Sequence, residues 1–174
     1  MITNKRTIVF LIALFVPVAS MIMIPKTITI NRQDASGVHG KDTQIKVDAI
    51  NQYFQKRNMP LAGYGAKMIV EADRNGLDWR LLPAIAVRES SGGLHACGFN
   101  PFGWASCKGN IGKFENWDRA IEVVARNLGG NNPNTAHFYG GKDIRGILEA
   151  YNPPSIVPTY ADEVVGIMSQ IGSK

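Results

Sequence analysis

Cysteine is scarce: two in 174 residues exclude a multi-disulfide miniprotein and any four-cysteine zinc site. Charge is thin as well. Charged residues make up 19% against 45% hydrophobic, which excludes a disordered tail. No basic cluster forms a footprint for DNA or RNA, and no nucleic-acid motif is present. His39, His95 and His137 show no ligand spacing, so neither a metal nor a cofactor is implied. No segment of 20–50 residues repeats, which argues against solenoids and propellers. The glycines and prolines are too scattered for a collagen-like chain. No stretch alternates with a period of two over a useful length, so strands are not expected. At 19.0 kDa the chain is one domain's worth.

What is present begins at the N-terminus. The net charge is +5, and residues 1–30 hold Lys5, Arg6 and Lys26 and no acid. Ile8 to Pro25 then run without a charge. A basic start followed by an apolar run is the layout of a secretory signal or an N-terminal anchor. Pro17 ends a short apolar core, and Val18-Ala19-Ser20 offers small residues for cleavage. Met21 to Ile24, however, extend the run towards the ~20 residues of a spanning helix. Both readings stay open for residues 1–26. Either one exports the rest of the chain to the periplasm or envelope, secreted or anchored to the inner membrane. There Cys97 and Cys107, ten positions apart, are expected to form a disulfide, with two free thiols as the alternative.

Residues 27–42 are polar and aperiodic and read as a linker. From 43 to 174 helical periodicity dominates, so the domain is expected to be mainly α. Ile45, Ala49, Ile50, Tyr53 and Phe54 make one apolar stripe. A second helix is expected from near Leu61 to a cap at Gly76. Asp78 would cap a third, from Trp79 to Ser90. Further helices are expected from Asn116 or Trp117 to Gly129, over Asp143–Ala150, and from Thr159 to Gly172. In the last, Thr159 and Asp162 resemble a capping box. Residues 91–115 are the one long irregular region, and such loops often carry function.

Glu89 is the residue with chemistry to offer. Leu82, Ile85 and Ala86 share its helical face, so its carboxyl is expected to lie against aliphatic side chains. Lost hydration disfavours the charged form of a carboxyl so placed. An acid that keeps its proton near neutral pH can protonate a glycosidic oxygen. Taken by spacing alone, a solvated end-of-helix Glu paired with Arg88 is the commoner arrangement.

Leu81-Leu82-Pro83-Ala84-Ile85-Ala86-Val87-Arg88-Glu89-Ser90 resembles the Glu-Ser signature of lytic transglycosylases in the lysozyme-like superfamily. Downstream, Ile147-Leu148-Glu149-Ala150-Tyr151-Asn152 is similar to that family's Ala-Tyr-Asn motif. Tyr160-Ala161-Asp162-Glu163-Val164 is similar to its C-terminal Tyr-containing helix. The resemblance spans roughly residues 62–172 and implies a lysozyme-like fold acting on peptidoglycan. It implies that Glu89 is the catalytic acid, with Ser90 the serine beside it and Tyr151 bonded to the acid or the sugar. The family's Gly-Leu-Met-Gln is absent. In its place Asn100-Pro101-Phe102-Gly103-Trp104 is similar to the Asn-x-Phe-Gly of bacterial glucosaminidases.

The two chemistries differ in their needs. A hydrolase uses a second carboxylate, for which Glu115, Asp118, Glu122 and Asp143 are available, none with a motif of its own. A lytic transglycosylase, as the resemblance implies, can use one Glu as acid and then base while the muramyl 6-hydroxyl attacks. One-acid chemistry is favoured. The expected site is therefore Glu89 as general acid/base, with Ser90, Asn100, Phe102, Trp104, Tyr151 and Asn152 holding the glycan. For Phe102 a loop anchor, and for Asn152 a helix end before Pro153, are the competing roles. The rival functions are an endo-β-N-acetylglucosaminidase and a non-catalytic module that binds cell wall.

Overall fold

The computed structural model describes residues 32–105 and 112–172, with side chains from residue 40. Among them are seven helices: α1 (Arg32–Gln55), α2 (Gly65–Arg74), α3 (Leu81–Ser90), α4 (Trp117–Leu128), α5 (Ala136–Tyr139), α6 (Ile144–Tyr151) and α7 (Tyr160–Ile171). No strand occurs among the described residues, only one antiparallel bridge between Cys97 and Asn100. The domain is mainly α. Residues from Gln33 onward form one compact unit, distinct from Met1–Arg32. No helix among the described residues is long and apolar enough to cross a membrane. The expected signal or anchor, residues 1–26, lies outside them.

α3 is the centre. Leu81, Leu82, Ala84, Ile85 and Ala86 are all fully buried, so nearly every face of this helix meets protein. α7 packs most extensively on it and α2 lies against it too; α4 backs α2, and α6 backs α7. The facing side chains are apolar at helical spacing: Ile121, Val124 and Leu128 on α4, Val164, Met168 and Ile171 on α7.

Helix starts depend on polar groups. Asn116 accepts from Arg119 N–H (2.8 Å) and Asp143 from Gly146 N–H (2.8 Å), each satisfying a first-turn donor. α2 is capped from a distance. Asn51 Oδ1, on α1, accepts from both Gly63 and Gly65 N–H at 3.0 Å. A Cβ at position 65 would lie 2.7 Å from Val47 O, so only glycine lets α1 approach this closely.

Several expectations need correction. The stretch 27–42 is not linker throughout, because α1 already runs from Arg32. That part of α1 has no apolar stripe to reveal it. Further along α1, where side chains are described, residues 42–48 carry exposed i,i+4 pairs, Lys46–Asp42 (2.5 Å) and Gln44–Asp48 (2.8 Å). Ile45 is 68% exposed, because the buried face is set by Val47, Ile50 and Phe54. α2 starts at Gly65 rather than Leu61, since residues 61–64 form turns, with Leu61 N–H bonded to Gly92 O. α3 starts at Leu81 because the Asp78 carboxylate is engaged by the Arg80 backbone and guanidinium. Thr159 and Asp162 make no capping box: Thr159 donates to Glu163 (2.6 Å), and Asp162 pairs with Arg145. The four-residue α5 was too short to leave a periodic signal.

Asn51→Ala removes the acceptor for the Gly65 N–H that opens α2 and for the Gly63 N–H in the turn before it, while leaving the apolar core intact. The expected loss is about 1–2 kcal/mol, read as a lower urea midpoint at unchanged slope.

Candidate active site

Burial of α3 forces its polar residues to its last turn, where Glu89 and Ser90 emerge beside the loop that follows. Ser91, in the left-handed conformation, ends the helix, and Gly92 and Gly93 turn the chain back. Ser90 is buried. Its hydroxyl donates to Pro101 O (2.7 Å) and accepts from Gly93 N–H (2.9 Å), fastening the loop to the helix end. Asn100 is buried too and brackets Trp104, donating to its carbonyl (2.8 Å) and accepting from its N–H (3.1 Å). Phe102 is fully buried in the core. Expected as glycan contacts, these three side chains instead build the loop, because burial keeps them from any ligand.

That loop delivers Gly103 to the carboxyl. Its φ is +62°, and a Cβ there would lie 2.8 Å from Glu89 Oε2. The other oxygen, Oε1, accepts the Tyr160 hydroxyl at 2.6 Å. Glu89 is half-buried. Arg88 does not pair with it: its Nε is bonded to Glu163. The two carboxyl oxygens therefore have different surroundings, one tied to α7 and one facing a position without a side chain.

Beside the carboxyl stands an aromatic ladder. Tyr151 stacks on Tyr160, with centroids 6.0 Å apart and rings 15° from parallel. Trp104 lies 5.8 Å from Tyr151 and 6.1 Å from Tyr139. The Tyr151 hydroxyl, expected on the acid or the sugar, donates to Phe102 O rather than to Glu89. Burial raises all three phenols above their ordinary value, strongly for Tyr151 and Tyr160, with the negative Glu89 adding to both. They remain neutral hydrogen-bond donors wherever a carboxyl titrates. Trp104 and Tyr151 are half-buried and, with Gly103, Ala105 and Tyr139, line a hollow of about 340 Å³. Asn152 ends α6 in an extended conformation before Pro153, and its N–H bonds Leu148 O.

A larger hollow of about 560 Å³ lies at the other end of α3 and α6, lined by Leu77, Leu81, Asp143 and Ile147 among others. Its carboxylates are committed: Asp143 caps α6 and Asp78 holds Arg80. Of the other candidate second acids, Glu122 pairs with Arg119, while Glu115 and Asp118 are exposed at the start of α4. Among the described residues no three His, Cys, Asp or Glu side chains could share a metal ion. Cys97 has no disulfide partner among the described residues, and Cys107, its expected partner, lies outside them.

Glu89 stood out in the sequence, but its neighbours did not. Tyr160 was visible only as part of a motif, Gly103 only as part of a loop, and Tyr139 carried no signal. Two outcomes follow from this geometry. Gly103→Ala destabilises more than Gly98→Ala in urea unfolding, because Gly98, at φ +59°, faces open space and bears only the backbone strain of about 1–2 kcal/mol. Stability falls above pH 10, the ordinary phenol value, because the unfolded chain ionises there while buried Tyr160 holds its proton. Tyr160→Phe removes that ionisation, so its urea midpoint falls less steeply between pH 9 and 11.

Neither a family model, nor a curated protein, nor a solved structure significantly matches the chain.

Proposed function

We propose that this chain is an exported peptidoglycan lytic transglycosylase of lysozyme-like fold. It cleaves the β-1,4 bond between N-acetylmuramic acid and N-acetylglucosamine. The observation that carries the reading is the asymmetric carboxyl: Oε1 accepts from Tyr160, and Oε2 faces Gly103 at the edge of the aromatic hollow. The order of the Glu-Ser, Ala-Tyr-Asn and Tyr-helix motifs supports the substrate class.

Because the neutral Tyr160 hydroxyl donates to Oε1, the proton of the protonated carboxyl belongs on Oε2. Oε2 gives it to the bridging oxygen as the C1–O bond breaks, and the bond's electron pair leaves with that oxygen. The carboxylate left behind is held by the Tyr160 hydrogen bond. Oε2 then takes the proton of the muramyl 6-hydroxyl as O6 bonds to C1, closing the 1,6-anhydro ring and restoring the acid. No second carboxylate enters this cycle. The faces of Trp104 and Tyr139 at the hollow suit the apolar face of a pyranose.

Mass spectrometry of peptidoglycan digested by the full chain, beside Glu89→Gln, tests the reading. The wild type is expected to produce anhydro-muramyl ends, and the variant none while keeping its fold, since an amide oxygen still accepts from Tyr160. Cleavage by the variant overturns the role of Glu89. Reducing ends from the wild type mark a hydrolase, the direction in which Asn100–Gly103 points. Sedimentation with the wall but no product marks a binding module.

A further inference from the structure

Arg88 precedes Glu89 on α3, yet its side chain turns away from that carboxyl to α7. Its Nε bonds Glu163, and its guanidinium lies 5.6 Å over the ring of Tyr160. Glu163 is three residues along from Tyr160 and also accepts from the Thr159 hydroxyl at 2.6 Å. That hydroxyl, and then Arg88, hold the Glu163 carboxyl below its ordinary value, so the pair stays ionised through neutral pH. Tyr160 is thus bounded by Tyr151 of α6 on one ring face, by Arg88 across α3, and by Glu89 at its hydroxyl.

From this juxtaposition we propose that Arg88 and Glu163 are positioning residues: together they hold the Tyr160 ring where its hydroxyl reaches Glu89 Oε1. The inference rests on the reading of Glu89 as the acid and adds the control of its orientation. A phenol held on Oε1 leaves the proton to Oε2. A ring free to swing lets the proton occupy either oxygen, only one of which faces Gly103. The arrangement also explains why an ion pair at the protein surface, worth little to stability by itself, joins the last turn of α3 to the first of α7.

The Tyr160 hydroxyl proton reports on this directly. In the full chain in detergent micelles, with tyrosines labelled at the ring carbon bearing oxygen, wild-type Tyr160 is expected to show a slowly exchanging hydroxyl proton. Arg88→Met and Glu163→Gln should each speed its exchange about tenfold or more, with Arg88→Lys between them and the wild type. In turnover of peptidoglycan, Arg88→Met should lower kcat about tenfold at unchanged KM, as loss of orientation requires. In a Tyr160→Phe background it should have no further effect. Unchanged hydroxyl exchange in folded Arg88→Met overturns the proposal, as does an equal loss of kcat in both backgrounds. Should the wild type cleave nothing, the reading of Glu89 fails, and hydroxyl exchange still decides the positioning claim by itself.

Discussion

Everything in the domain follows from the burial of one ten-residue helix. α3 carries six consecutive buried residues, from Leu81 to Ala86; α7 and α2 pack against it, backed in turn by α6 and α4. A helix so enclosed has nowhere to place a carboxylate except its last turn. The glycine-rich segment that follows must then return along that turn, because Ser90 binds Pro101 and the Gly93 amide. Gly103 reaches the carboxyl as a consequence of that return.

The site is closely hydrogen-bonded. No buried side-chain polar atom among the described residues lacks a partner. Ser90 and Asn100 satisfy the loop, Phe102 anchors it in the core, and Tyr151 ties its carbonyl to α6. Ser90, Asn100 and Phe102 hold the surroundings of the Glu89 carboxyl from buried positions. The polar network and the aromatic ladder divide the work: one fixes the backbone at Gly103, the other walls the hollow beside it.

Much of this was legible from residue spacing. The mainly α class, the helix starts near Asn116 and Asp143 and the stop at Gly129 all follow from local chemistry that needs no partner helix. Glu89 was singled out by the face it shares with Leu82, Ile85 and Ala86, but only the resemblance of its Glu-Ser stretch outweighed the commoner solvated arrangement. What stayed hidden depends on other elements. Asn51 caps a helix fourteen residues away, Tyr160 meets Glu89 across 71 positions, and Arg88 chooses Glu163 over its own neighbour. The first turns of α1 were hidden for another reason, since residues 32–42 carry no apolar period in the sequence.

The central claim is spatial: a glycan lies with its scissile oxygen on the Gly103 side of the acid. A crystal structure of Glu89→Gln soaked with a GlcNAc–MurNAc oligosaccharide measures this directly. The account predicts a bridging oxygen within hydrogen-bond reach of the side-chain nitrogen at position 89, with a sugar ring against Trp104 and Tyr139. A glycan bound instead in the hollow between Leu81 and Ile147, at the far end of α3, would contradict it.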